Sequence, residues 1–530
     1  MLDLIHKIIF HTAQQSPTAE ALSYQGQRIS YASLAEQVSQ LALAYLAMGA
    51  ERNDRVAVYL EKRPEAVIGM FASSAAGAVF VPVNPLLKPD QVAYILADCN
   101  VKILLTSADR LRSLSKILPL CPDLRCIILV DTNSKILAET SLSLISWEHA
   151  LQMKTELAPH QCIDCDMAAI LYTSGSTGKP KGVVLSHRNI LVGATSVAEY
   201  LNNTSSDRIL ALLPFSFDYG FSQLTTAFSV GASVVLMNYL LPQDVVRVIT
   251  EEKITGLAAV PPLWSQLSQQ KWSLPSTLST LRYITNSGGA MSRTMLTALR
   301  KIFPETQIYL MYGLTEAFRS TYLAPSEVDA RPDSIGKAIP GAELMVINKA
   351  GQACAPNEAG ELVHRGALVA LGYWNDKEKT AERFRPAPGV LPGLTLPEIA
   401  VWSGDTVRMD ADGYLYFIGR DDDMIKVSGY RVSPSEVEEV VDQFSYITEQ
   451  VAIGVPHPAT GQAIVLVVTQ HEEKFLNVEA IRKQCQVQLP AYLVPAHIEI
   501  LSESLPRNAN GKIDRKLLQS RFYDFFQVDT

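Results

Sequence analysis

The 530-residue sequence has no basic block or stripe, and its 46 Lys and Arg are outnumbered by 54 Asp and Glu. The electrostatic footprint of a nucleic-acid binder is therefore missing. No apolar run is clean enough for a membrane span. The longest uncharged stretch, 66–87, is interrupted by Gly69, Ser73, Ser74, Gly77, Pro82, Asn84 and Pro85. It reads instead as a buried helix over about 64–77 followed by a buried strand over about 78–83. Cysteine is sparse and odd in number: Cys99, Cys121, Cys126, Cys162, Cys165, Cys354 and Cys485. Such scatter argues against a disulfide framework and suits a reducing cytoplasm. Cys162 and Cys165 form a CxxC with no second Cys or His pair beside it, so no zinc site is expected. A secretory leader is not evident. The opening "MLDLIHKIIFHTAQQ" is broken by Asp3, His6 and Lys7 and reads as a short amphipathic helix. Internal repeats and low-complexity segments are also missing.

What is present is an ordinary globular mixture, 48% hydrophobic and 19% charged, long enough for two or three domains. Short apolar runs recur: "RVAVYL" (55–60), "VKILLTS" (101–107), "RCIILVD" (125–131), "ASVVLMN" (232–238), "GLAAVPP" (256–262) and "QIYLMYG" (307–313). Helix-like segments separate them. Continuous apolar strands alternating with helices indicate largely parallel sheets covered on both faces, an α/β protein. After about residue 340 the strands alternate more, as a β-rich subdomain with one wet face requires. Beyond the acidic turn "GRDDD" (419–423) lies a compact α+β tail. In it, "SPSEVEEVVDQF" carries Ser433, Pro434 and Glu436 in the positions of a helix-opening capping box. The expected division is a large N-terminal domain over 1–421 and a small mobile C-terminal domain over 422–530.

One loop stands out. In "ILYTSGSTGKPKGVVLSH" (170–187), Gly175, Gly178 and Gly182 permit tight turns and close backbone approach. Thr173, Ser174, Ser176 and Thr177 add hydroxyl donors, and Lys179 and Lys181 add positive charge. A strand followed by such a loop suits a polyphosphate. It is not a Walker A loop, because two residues separate Gly175 from Gly178 and Pro180 follows Lys179.

The loop closely resembles the signature of the adenylate-forming (AMP-binding) superfamily, which includes acyl-CoA synthetases and peptide-synthetase adenylation domains. "SGGA" (287–290), "YGLTE" (312–316), "SGD" (403–405), "GRDDDMIKVSGYR" (419–431) and "PRNANGKIDR" (506–515) follow in that family's order. The resemblance implies ATP and Mg²⁺ as cofactors, with CoA or a phosphopantetheinyl carrier protein as acyl acceptor. The 173–182 loop would hold the β- and γ-phosphates, and Gly288, Gly289, Ala290, Tyr312 and Gly313 would line the nucleotide. Tyr312 offers a flat face to adenine and Thr315 a donor to the α-phosphate. Glu316 is placed to hold Mg²⁺, which prefers carboxylate oxygen. Asp405 would accept the ribose hydroxyls, with Arg420 in support. Lys512 would reach the carboxylate and the α-phosphate, offsetting charge as two anions meet. Asp422 falls on the family's hinge position. Gly429 and Arg431 would face the thiol in a second domain orientation.

The acid pocket departs from simple acyl-CoA ligases. "PFSFDYGF" (214–221) carries Phe217 where many of them have histidine. Phe217-Asp218 is similar to the "FD" of amino-acid adenylation domains, where the Asp binds the substrate ammonium. Exosortase-associated acyl-CoA ligase-like proteins also look similar in this stretch. By the resemblance the pocket includes Tyr219, Ser222, Ala259, Met311, Arg319 and Ser320. A buried cation should be paired, which leaves two readings. Asp218 and Arg319 pair with each other beside an apolar acyl pocket, or Asp218 takes an ammonium while Arg319 takes an acidic group. The expected partners are thus a small carboxylic or amino acid and a separate thiol carrier, with neither nucleic acid nor a membrane span.

Overall fold

Strands rich in Val, Ile and Leu, many of them followed by a helix, build the first two sheets. The computed structural model describes residues 2–131, 142–173, 180–270, 272, 280–389, 393, 395–420, 425–427, 430–432, 434–444, 446–457, 460–470, 477–489, 491–508 and 511–526. Among them the chain forms four sheets. The first runs, edge to edge, Lys337–Ala338, Thr321–Leu323, Gln307–Tyr312, Tyr283–Asn286, Gly256–Ala259, Arg208–Ala211, Ser233–Leu236, Glu20–Tyr24 and Gln27–Ser30. Its six central strands are parallel. The second runs Gly372–Tyr373, Lys181–Ser186, Met167–Thr173, Val79–Pro82, Arg55–Tyr59, Val101–Thr106, Cys126–Leu129 and Ser143–Ser146. It is parallel from Met167–Thr173 onward. All six apolar runs noted in the sequence form strands of these sheets.

One core joins the two sheets through helices Tyr31–Ala47, Pro64–Ala76, His187–Tyr200 and Asp218–Ser229. Phe71, Phe80, Phe221 and Phe228 meet there at ring separations of 5.0–6.3 Å. Each such fully buried side chain contributes roughly 1.5–3 kcal/mol. The helix expected near 64–77 ends at Ala76, where Gly77 takes φ +81°. The third sheet is antiparallel and is built from strands between Ala342 and Arg420.

The C-terminal sheet contains Ile425–Val427, Tyr430–Val432, Ile447–His457, Gly461–Gln470 and His497–Leu501. Its strand Gly461–Gln470 is apolar from Ala463 to Val468 because both faces are covered there. Ile464, Leu466 and Val468 pack with helices Pro434–Val441 and Val478–Gln488. Val465 and Val467 pack with Leu518 of the last helix. The helix Pro434–Val441 begins where the capping box places it, though Ser433 lies outside the described residues. No described helix is long and apolar enough to cross a membrane.

Candidate active site

Parallel strands of one sheet deliver their C-terminal ends to a common edge, where α/β folds collect ligands. At that edge of the first sheet stand Pro214–Asp218, Ala259, Ser287–Ala290 and Tyr312–Glu316, each at or just beyond the end of its strand. Asn286 donates to the Gly289 carbonyl at 3.0 Å, and Gly288 takes φ +80°. The "SGGA" turn is thus held by its own strand.

The charged centre lies beside it. Glu316 accepts from Lys181 Nζ at 3.0 Å and from the Tyr373 hydroxyl at 2.5 Å. Lys181 also donates to the Tyr373 oxygen at 2.8 Å and lies 4.3 Å from that ring's centre. Burial works to raise the Glu316 pKa, but the Lys181 charge and the Tyr373 hydroxyl outweigh it. The carboxyl is held below its ordinary value and stays ionised. The Thr173 hydroxyl is buried without a partner among the described residues. Ser174, Gly175, Ser176, Thr177, Gly178 and Lys179 lie outside them. Tyr312 donates its hydroxyl to Asp405, a 2% exposed carboxylate on the third sheet, and its ring lies 6.2 Å from Phe417. Arg420 stands across from Asp405 in the antiparallel register.

The acid pocket grows from helix Asp218–Ser229. Gly220 makes its start possible: a Cβ there would sit 2.0 Å from the Pro214 carbonyl oxygen. Phe217 is the residue before the helix and Asp218 its first. Tyr219 donates to the Thr285 carbonyl at 2.9 Å. Met311 accepts from the Tyr200 hydroxyl at 3.0 Å, and Tyr200 stacks on Tyr322 at 4.2 Å. Ser320 meets His364 Nδ1 at 3.0 Å, and burial pushes that imidazole down to about 4. Ala259 is fully buried.

Of the two readings of Asp218 and Arg319, the structure shows the pair, but a loose one: Nη1 lies 3.5 Å from Oδ2. Arg319 also donates to Ser222 Oγ at 2.8 Å. It is presented by a tight turn in which Phe318 takes φ +54° and the Arg319 N–H reaches the Ala317 carbonyl at 2.5 Å. A non-glycine residue so placed costs about 1–3 kcal/mol. The Phe318 ring is held by close packing: a Cβ on Gly193 would lie 2.4 Å from it.

Lys512 belongs to a loop of the C-terminal domain. Its carbonyl accepts from Asn508 N at 2.8 Å, its N–H donates to Asn508 Oδ1 at 3.2 Å, and Gly511 takes φ +74°. The Lys512 charge is among those that act on the Asp218 carboxyl. Burial is the larger effect there and leaves the Asp218 carboxyl above its ordinary value, despite the nearby Arg319 and Lys512. Asp422 and Gly429 lie outside the described residues. Arg431 is described as backbone, opposite Lys426. Sequence reasoning missed Tyr373, His364, Thr285 and Tyr200, which no motif marks.

Residues 9–374 match the family model for the AMP-binding enzyme, and residues 436–512 match that for its C-terminal domain. This chain belongs to the AMP-binding enzymes. Bacitracin synthase 3 of Bacillus licheniformis is 29% identical over 97% of this chain. Tyrocidine synthase 3 of Brevibacillus parabrevis is likewise 29% identical over 97%. The AMP-binding enzyme described here spans only 8% of each of those much longer proteins. Among solved structures, the anthranilate CoA ligase AuaEII in complex with anthranoyl-AMP superposes with a TM-score of 0.88 at 26% identity. That match covers 100% of this chain and 99% of the other. The o-succinylbenzoate CoA synthetase of Bacillus subtilis, in complex with ATP and magnesium, gives 0.81 at 25%, covering 96% and 98%.

Proposed function

We propose that this AMP-binding enzyme joins a carboxylic acid to a thiol in two steps, in the cytoplasm. In the first, a carboxylate oxygen attacks the α-phosphorus of ATP. The bond to the β-phosphate breaks, giving acyl-AMP and pyrophosphate. In the second, a thiol of CoA or of a separate carrier protein attacks the acyl carbon and AMP leaves. The observation that carries this reading is the charged centre of Lys181, Glu316 and Tyr373 at the strand ends of the first sheet, close in sequence to the bonded Tyr312–Asp405 pair. Lys512, whose charge is among those that act on Asp218, would draw the substrate carboxylate and the α-phosphate together and offset the charge they gather.

The other residues fit the same step. Thr315 would donate to the α-phosphate. Tyr312 and Asp405, already bonded to one another, would hold adenine and ribose, with Arg420 beside them. Lys181 and the loop residues 173–179 would take the pyrophosphate end. Glu316, ionised and supported by Tyr373, is a hard oxygen ligand suited to Mg²⁺, which supplies charge neutralisation on the phosphates. For the second step, a turn of residues 422–530 about Asp422 would withdraw Lys512 and bring Gly429 and Arg431 to the thiol.

A second reading is supported by Asp218, whose side chain keeps 16% exposure although its partner is sealed. It makes the enzyme an amino-acid adenylating one that loads a separate peptidyl carrier protein. The test is acid-dependent ATP–pyrophosphate exchange over amino, fatty, aryl and hydroxy acids. Lys512→Ala should abolish exchange while ATP still binds; near-normal exchange would overturn the assignment. Asp218→Ala should cripple exchange with amino acids and spare plain acids if the second reading holds.

A further inference from the structure

Arg319 is a buried cation with most of its hydrogen-bonding capacity unused. It is 2% exposed, with its guanidinium 4.7 Å from the Tyr219 ring centre and 5.9 Å from that of Phe318. A guanidinium carries five N–H donors in a fixed fork. One reaches Ser222 Oγ at 2.8 Å. Nη1 stops 3.5 Å short of Asp218, beyond a good hydrogen bond. Nε has no partner among the described residues.

Nε of Arg300 and of Arg385 also lacks a partner among the described residues, but other structural arginines of the fold are closely satisfied. Arg208 reaches Glu20, Glu252 and Ser233. Arg515 reaches both oxygens of Glu438 and the Ala452 carbonyl. A guanidinium left this short of acceptors, on a turn strained at Phe318 and seated against Gly193, is built at a cost that packing alone does not explain. Asp218 keeps 16% side-chain exposure, whereas Arg319 is sealed at 2%. Arg319 is therefore the deeper of the two, and an acid whose reacting carboxylate stays towards the opening meets Arg319 at its far end.

We propose that the acid this enzyme activates carries a second carbonyl acceptor, a carboxylate or carboxamide, at the end away from the reacting carboxylate, and that Arg319 holds it. The inference rests on the acid–thiol ligase reading above. Such a group supplies the acceptor that Asp218, at 3.5 Å, leaves wanting. Acidic amino acids, their amides and plain dicarboxylic acids share this chemistry, and the presence or absence of an amine separates them.

The test compares matched acids by kcat/KM in ATP–pyrophosphate exchange. One arm is butanoate, succinate and succinamate; the other is 2-aminobutyrate, aspartate and asparagine. Homologues one carbon longer extend both arms. The expected result is a preference of at least about 100-fold for the acceptor-ended member of a pair over its methyl-ended partner, since a site built to hydrogen-bond a group rejects the analogue lacking it. Arg319→Met should collapse that ratio to within about threefold of unity, with ATP binding retained, and Arg319→Lys should restore part of it. Because a lone buried carboxylate can unfold the pocket, Asp218→Asn combined with Arg319→Met is the second variant and should show the same collapse. Activity confined to the amine-bearing arm identifies an amino acid; activity in both arms identifies a dicarboxylic acid or its amide. Equal or better use of methyl-ended acids by the wild type overturns the proposal, as does a ratio untouched by both variants. Exchange with no acid at all, in protein that binds ATP, overturns the ligase reading and this inference together.

Discussion

Tyr373→Phe removes one oxygen atom from the charged centre and leaves the packing in place. The hydroxyl donates to Glu316 at 2.5 Å and accepts from Lys181 at 2.8 Å, so both of its hydrogen bonds are to ionised groups. Bonds of that kind are worth about 1.5–3 kcal/mol each. The direct Lys181–Glu316 contact at 3.0 Å survives and recovers part of the loss. A net cost of about 2 kcal/mol follows, or about 30-fold at 1.4 kcal/mol per factor of ten. Its sign at Glu316 is clear: the hydroxyl helps hold that carboxyl ionised, so removing it raises the pKa and weakens the oxygen as a Mg²⁺ ligand. The assay is a Mg²⁺ titration of ATP–pyrophosphate exchange with the best acid from the panel. The variant should need more Mg²⁺ for half-maximal exchange and lose about 30-fold in efficiency at low Mg²⁺. Its melting temperature should hardly move, because the ring keeps its edge contact with Phe384 at 5.5 Å. Exchange within twofold of wild type at every Mg²⁺ concentration would refute the role given to Tyr373.

Asp405→Asn keeps the shape at Tyr312 but removes the charge; ATP affinity measured by direct binding should fall about tenfold or more, and an unchanged affinity would remove Asp405 from the ribose site. Gly220→Ala drives a Cβ to 2.0 Å from the Pro214 oxygen; overpacking of this kind costs about 1–3 kcal/mol, read as a lower denaturation midpoint together with impaired exchange. Acid should destabilise the fold before its carboxylates are protonated. Burial depresses His6 to about 3 and both His187 and His364 to about 4. The folded state therefore binds fewer protons than the unfolded chain, and stability present above pH 6.5 is lost as the pH falls toward 4. Each histidine can cost up to about 1.4 kcal/mol per pH unit in that window, and urea midpoints at pH 7, 6 and 5 should fall in that order. His364→Gln should flatten the slope, and a flat wild-type profile would contradict the burial argument.

What could be read beforehand, and what could not, follows from how each residue reaches the site. The strands were legible because both of their faces are covered, so Arg55–Tyr59, Val101–Thr106 and Gln307–Tyr312 are written as unbroken apolar runs. The turns at the strand ends were legible because such loops need particular chemistry within a few consecutive residues: "SGGA" and "YGLTE" each carry a turn and a polar group together. Tyr373 offers no such signature. It sits on a two-residue strand, Gly372–Tyr373, and reaches Glu316 only because that strand pairs with Lys181–Ser186, with Tyr373 opposite Val183. A pairing between strands almost two hundred residues apart leaves no periodicity in either. His364 is hidden for another reason: a polar residue in a strand reads as solvent-facing, yet here three consecutive residues, Leu362, Val363 and His364, are fully buried, and His364 bonds to Ser320.

The Asp218–Arg319 pair shows where one-dimensional reading stops altogether. That a buried arginine needs an acceptor is a statement about type and can be made from sequence. Whether the need is met depends on a few tenths of an ångström. Here Asp218 begins its helix at a point set by Gly220, and Arg319 leaves a turn whose strained Phe318 is set by Gly193. These two backbone constraints are independent of one another, and together they leave the charges 3.5 Å apart. If packing alone governed the pair, relaxing either constraint would let it close and leave the choice of acid unchanged. Phe318→Gly removes the strain of the positive φ but also a fully buried ring, whose loss costs about 3–5 kcal/mol, so its melting temperature should fall on either account. If instead the gap is kept for a ligand, the same variant should lose selectivity between acceptor-ended and methyl-ended acids. The exchange ratio of this one variant separates the two accounts.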